Sequence, residues 1–282
     1  MEKFWKKIIE FVFGEGTEIV FPRFFISKKN QVTLFHLRRQ DRDFSVIAKF
    51  YVWGNGMREW RILQKAYKAG LNVPAPMELI RVRNEADKPG VVFSRLTDAD
   101  LDDENLDEIE SCPGYILFTE YIPGISFRDL KGETVNLPVD KLALWMADFH
   151  NLFKIPGKQG TMLKGDVMMP NFLLHGETGE VFGIDFEEAI RGNEIIDISD
   201  ILTSLMLLRK KLPGRSPEIA CDFIRNYRSK NPISLDPGEL KNLIIHNLER
   251  RILFTPSRKS VLTGLIAHME NEGRDLISAC LK

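Results

Sequence analysis

Between Ile19 and Val52 the chain carries successive apolar runs rich in β-branched and aromatic residues, IVFPRFFI, QVTLFHLRR and FSVIAKFYV, with only short polar turns at Ser27 to Asn30 and Arg39 to Arg42. Runs of this length bounded by turn residues read as strands, and turns this short can join only antiparallel neighbours. From about Leu137 the pattern changes. LALWMADFHNLF puts Leu142, Trp145, Phe149 and Leu152 on one helical stripe, and helix-like segments follow near 197–211, 216–229, 237–254 and 258–281. Strands first and helices afterwards, rather than alternating, give an α+β chain. The expected division is an antiparallel-sheet half with one helix over residues 1–121, and a helical half over 122–282.

Composition excludes little else. At 282 residues, with 44% hydrophobic and 28% charged residues and a formal charge of −1, the chain reads as an ordinary globular protein with no reason to bind nucleic acid. Cys112, Cys221 and Cys280 are odd in number, far apart and without metal or redox spacing, so a reducing, cytoplasmic setting is expected. Residues 98–110 hold eight acidic residues and no basic one, a solvated insertion. The opening MEKFWKKIIEFVFG does not read as a signal peptide, because Glu10 interrupts its apolar run and no small-residue cleavage site follows. Its stripe of Phe4, Ile8, Phe11 and Val12 beside Lys3, Lys6 and Lys7 fits either packing on the sheet or contact of residues 3–13 with an anionic inner-membrane face.

Four polar residues stand in apolar frames: Lys49 in VIAKFY, Asp166 and Asn171 in LKGDVMMPNFLL, and Asp185 in VFGIDFEEA. Burying charges unpaired is costly, so such residues pair with one another or hold a cation. Phosphoryl transfer uses that set: a carboxylate and an amide hold magnesium, a lysine steadies phosphate charge, and a second carboxylate orients the attacking hydroxyl. In the third strand Lys49 shares a face with Ile47, opposite Val46, Ala48 and Phe50. After it, REWRILQKAYKAG reads as a helix with Glu59 on its first turn and Gly70 at its end.

Asp166 and Asn171 have four residues between them, and Asp185 follows at the end of a short apolar strand. With Lys164-Gly165-Asp166 and Asp185-Phe186, the pattern resembles the protein-kinase-like superfamily in its small-molecule branch. The stretch REWRILQKAYKAGLNVPAP and the Thr-Glu linker look closest to the lipopolysaccharide-core (Kdo) kinases, with aminoglycoside and choline phosphotransferases sharing the outline over residues 25–205. The resemblance implies a two-lobed fold, ATP and Mg²⁺ as cofactors, and a small-molecule or lipid-linked sugar acceptor. It implies Asp166 as catalytic base, Asn171 and Asp185 as metal ligands, Lys49 on the α/β-phosphates and Glu59 as its partner. It also implies an adenine-binding linker over Phe118 to Ile122, through Glu120 and Ile122, and Asp197, with Asp200 competing, as brace of the catalytic loop.

Departures accompany the resemblance. Lys164 stands where His is usual, and Glu187 where protein kinases have glycine. No glycine-rich loop precedes Lys49 at a good distance, so the turn Ser27-Lys28-Lys29-Asn30 is expected to cover the phosphates, with Lys28 and Asn30 among its contacts. An atypical serine/threonine protein kinase and a nucleotide-binding pseudokinase are the rival readings. His150 reads as a structural histidine at a helix end. Arg250, Arg251, Arg258 and Lys259 read as a solvated helix face or, alternatively, as a site for an anionic acceptor.

Overall fold

In a computed structural model, the structure describes residues 2–25, 29–52, 55–84, 91–95, 114–130, 138–157, 160–207 and 216–281. Lys28, the acidic run 98–110 and Cys112 lie outside the described residues. The described chain forms two compact units. One comprises Met1–Pro123 with Asp185–Glu188, the other Gly124–Ile184 with Ala189–Lys282.

The first unit is built on a six-stranded antiparallel sheet of order β1-β2-β3-β6-β4-β5. Its strands are β1 (Glu18–Phe25), β2 (Gln31–Arg39), β3 (Arg42–Tyr51), β4 (Pro76–Asn84), β5 (Val91–Arg95) and β6 (Tyr115–Glu120). The β2–β3 hairpin turns on Gln40 and Asp41, both at positive φ, which matches the right-handed twist of its strands. Register follows the alternation of apolar residues. Val46 and Ala48 of β3 are buried with Phe35 and Leu37 of β2 and Ile116 and Phe118 of β6. Helix α1 (Glu2–Phe13) covers that face, burying Trp5, Ile8 and Ile9, with Phe4 and Val12 packed beside them. The N-terminal stripe is thus spent on the sheet, the packing alternative of the sequence reading.

The opposite face of the sheet meets helix α2 (Gly56–Lys68), which packs on β4 and β6. Asn55 caps α2 by accepting from the Arg58 amide at 2.9 Å, and Gly70, at φ 79°, lets the chain leave the helix for β4.

The second unit contains β7 (Gly124–Ser126), α3 (Val139–Leu152), β8 (Thr161–Leu163), β9 (Phe172–His175), β10 (Val181–Gly183), β11 (Ile190–Gly192), α4 (Ile195–Leu207), α5 (Ser216–Lys230), α6 (Pro237–Phe254) and α7 (Lys259–Leu281). Two small antiparallel sheets, β10-β9-β7 and β11-β8, frame the loop that follows β8. Trp145 of α3 stacks on Phe149 and meets Phe172 of β9 edge-on. A side chain at Gly183 would overlap the Trp145 ring, so only glycine lets β10 run this close to α3. Cys221 of α5 is disulfide-bonded to Cys280 of α7. This corrects the reading of unpaired cysteines: 59 residues separate the two, and only the packing of α5 on α7 brings them together.

Candidate active site

In the first unit, β3 aims Lys49 at the first turn of α2. Its Nζ donates to Glu59 at 2.8 Å and to Asp185 at 2.6 Å, and lies 3.0 Å from Glu187. The side chains of Lys49, Glu59 and Glu187 are only 11%, 5% and 8% exposed. Tyr51, two residues along the same face, donates its hydroxyl to Glu59. Burial alone would lower the Lys49 pKa, but Glu59, then Tyr51, Asp185 and Glu187, outweigh it and hold the ammonium well above the ordinary lysine value. Burial, then Glu59, pushes the Tyr51 phenol up, so it stays neutral. Burial likewise raises the Glu187 carboxyl against the pull of Lys49.

Asp185 itself sits at φ 63°. Left-handed backbone in a non-glycine residue costs on the order of 1 kcal/mol or more, and aspartate is among the few side chains that tolerate it. Glu59, Asp185 and Glu187 have carboxylate oxygens within 4.8 Å of one another. An all-oxygen donor set of this kind fits a hard divalent cation.

The covering turn uses its polar atoms locally. Asn30 is buried, accepts from the Val52 amide at 3.0 Å and donates to Glu187 at 2.5 Å, while Lys29 pairs with Glu188. In the linker, Glu120 is exposed and donates its amide to the Ala75 carbonyl at 2.9 Å, and Ile122 is buried.

In the second unit, the loop after β8 carries Lys164, Gly165 and Asp166. Gly165 takes φ 80°, which turns Asp166 out of the strand. Asp197, fully buried on α4, accepts the Lys164 amide at 2.6 Å and the Gly165 amide at 3.2 Å. Its Oδ2 also lies 3.1 Å from His150 Nε2, and His150 Nδ1 lies 2.7 Å from the Tyr227 hydroxyl. Asp197 rather than Asp200 therefore holds the loop, and His150, read from sequence as a helix-end residue, is the buried backing of that brace. Asp200 faces Arg251, Asp197, Arg250 and Asp166 electrostatically, and burial raises its carboxyl.

Lys164 also has a place. Its Nζ donates to the Asp166 carbonyl at 2.8 Å and lies over the Phe172 ring, and Asn171 Nδ2 donates to the same carbonyl at 3.2 Å. The Asp166 carboxylate accepts the Met168 amide at 3.2 Å. The Ile184 amide donates to the Asn171 carbonyl at 3.0 Å, fixing the backbone immediately before Asp185. Glu187, Tyr51 and His150 are the neighbours that sequence reasoning left without a role. Tyr51 could have been found by extending the alternation of β3 two residues.

No protein-family model matches the chain, and no curated protein does. Solved structures do. An amicoumacin kinase in complex with AMP-PNP, Ca²⁺ and Ami superposes with a TM-score of 0.58 at 12% identity, covering 97% of this chain and 93% of that one. An aminoglycoside-3'-phosphotransferase of type VIII gives 0.53 at 17% identity, over 86% and 97%. A microcompartment-associated aminopropanol kinase gives 0.52 at 12% identity, over 94% of each. The chain shares their protein-kinase-like fold, antiparallel sheet first and helices after.

Proposed function

We propose that the protein is a phosphotransferase that moves the γ-phosphoryl group of ATP to a hydroxyl of a small molecule, with a divalent cation, Mg²⁺ by preference. The observation that carries this reading is the Lys49 ammonium held between Glu59 and Asp185. Glu59 and Tyr51 fix the lysine where it can meet phosphate oxygens, and its raised pKa keeps it charged for that purpose. Asp185 and Glu187 are ligands suited to the cation, which would supply charge neutralisation for the phosphates when bound.

Asp166 accepts the proton of the attacking hydroxyl. Lys164 and Asn171 hold its carbonyl and Asp197 holds the two amides before it, so the carboxylate is positioned without being consumed. Structures similar in fold are small-molecule kinases by name, which supports a small-molecule acceptor. The finer reading, a lipid-linked sugar acceptor, rests on the resemblance of residues 58–76 to the Kdo kinases.

The test is ATP turnover with Mg²⁺ and a panel of hydroxylated acceptors. Asp166→Asn and Asp185→Asn should each lower kcat by about a hundredfold or more. Asparagine keeps the backbone preference at position 185. Turnover unchanged in Asp185→Asn would refute the assignment.

A further inference from the structure

Leu253 and Phe254, the last two residues of α6, are 76% and 79% exposed, the most exposed large apolar side chains among the described residues. The helix has no use for them. It buries Leu240, Ile244 and Leu248 along one face, and the pair lies beyond that stripe. Nor is the corner frayed: the Thr255 amide closes the last turn on the Arg251 carbonyl at 2.9 Å, and Pro256 stops the helix. An ordered backbone thus projects two large apolar groups into solvent, with Val261 of α7 also exposed nearby in the chain.

After the exposed Glu249, one turn before Leu253, the charges that follow along the chain are of one sign. From Arg250 to Met269 the sequence has Arg250, Arg251, Arg258 and Lys259 and no aspartate or glutamate. Arg251 turns inward to Ser204 at 2.7 Å. Arg250, Arg258 and Lys259 are exposed.

We propose that the α6–α7 corner docks on an anionic lipid bilayer, with Leu253 and Phe254 entering the boundary between headgroups and acyl chains and the three cations meeting anionic headgroups. A soluble polyanion would satisfy the cations and leave the apolar pair in water. An apolar protein groove would do the reverse. The bilayer interface offers both environments within the reach of one helix end. The inference uses no residue of the candidate active site and stands apart from the proposed function.

The experiment is co-sedimentation of the full chain with phosphatidylcholine vesicles and with vesicles containing about one-third phosphatidylglycerol. Binding is expected only to the anionic vesicles, weakening as NaCl rises. The double substitution Leu253→Ser/Phe254→Ser should lower partitioning about tenfold or more with an unchanged thermal unfolding midpoint, since both side chains are already exposed. Arg258→Glu/Lys259→Glu should remove the salt-sensitive part. Equal binding to neutral vesicles, no binding to either kind, or no effect of the serine pair would overturn the proposal. Binding to heparin without partitioning into vesicles would also overturn it, and would point to a soluble polyanion.

Discussion

Replacing Lys49 by methionine keeps the approximate length of the side chain and removes the ammonium that pairs with three carboxylates. In the native protein its ammonium lies 2.8 Å from Glu59, 2.6 Å from Asp185 and 3.0 Å from Glu187. Removing one partner from a buried ion pair costs about 3–5 kcal/mol, because the other charge stays buried and uncompensated. Asp185 is 37% exposed, so solvent screens its share, and Tyr51 still donates to Glu59. The loss should therefore fall at the lower end, about 3 kcal/mol, or a urea midpoint lower by about 1–2 M. Without the ammonium nothing from Lys49 opposes the burial that already raises the Glu187 carboxyl, and its folded-state pKa rises further. A carboxyl with a raised folded pKa contributes stability that is present below its unfolded value and lost as pH rises through the folded one. The deficit of Lys49→Met should thus be small near about pH 4 and complete above neutrality. Adding Glu187→Gln should recover part of it. Urea titrations at several pH values would refute the reasoning with a loss below about 1 kcal/mol at neutral pH, or with a deficit that does not shrink on acidification.

Three further outcomes are expected. Asp197→Ala strands the Lys164 and Gly165 amides and should cost about 2–4 kcal/mol, with kcat for phosphotransfer falling more than the affinity for ATP changes. The burial-raised pKa of Glu187 means that it protonates above the ordinary glutamate value of 4.5. Metal-dependent turnover should accordingly fall on the acid side at a higher pH than an ordinary glutamate would give, and pH–rate profiles of Glu187→Gln should lack that limb. Reducing the Cys221–Cys280 bond reopens a loop with a sequence separation of 59 and should lower stability by about 4 kcal/mol, measured by urea unfolding with and without reductant and with Cys221→Ser as control.

How much of this was legible in the sequence depends on the range of the interaction concerned. The sheet could be read because its hydrophobic alternation is local: Val46 and Ala48 are buried and Lys49 points away from them, as a period of two demands. The expectation that Lys49 meets Glu59 came from the family resemblance, helped by Glu59 standing at the head of the helix that follows the strand. The disulfide could not be read, since the pairing of Cys221 with Cys280 is decided by how α5 packs on α7 and leaves no spacing signature. The choice between Asp197 and Asp200 was equally hidden. Both lie near the start of one helix, three residues apart, and only the direction of the Lys164 and Gly165 amides separates them. His150 escaped for the same reason, its partners Asp197 and Tyr227 being 47 and 77 residues away. The substitution of Lys164 for histidine, which left the loop's support in question, is answered by a bond that sequence cannot express, from its own Nζ to the carbonyl two residues on.

The central claim is that Lys49 and Asp185 serve a cation–nucleotide complex. Its most direct test is calorimetric titration of a non-hydrolysable ATP analogue into the protein, with Mg²⁺ and with chelator. The account predicts binding that requires the metal and weakens about tenfold or more in both Lys49→Met and Asp185→Asn. Equal affinity with chelator, or undiminished affinity in both variants, would contradict it.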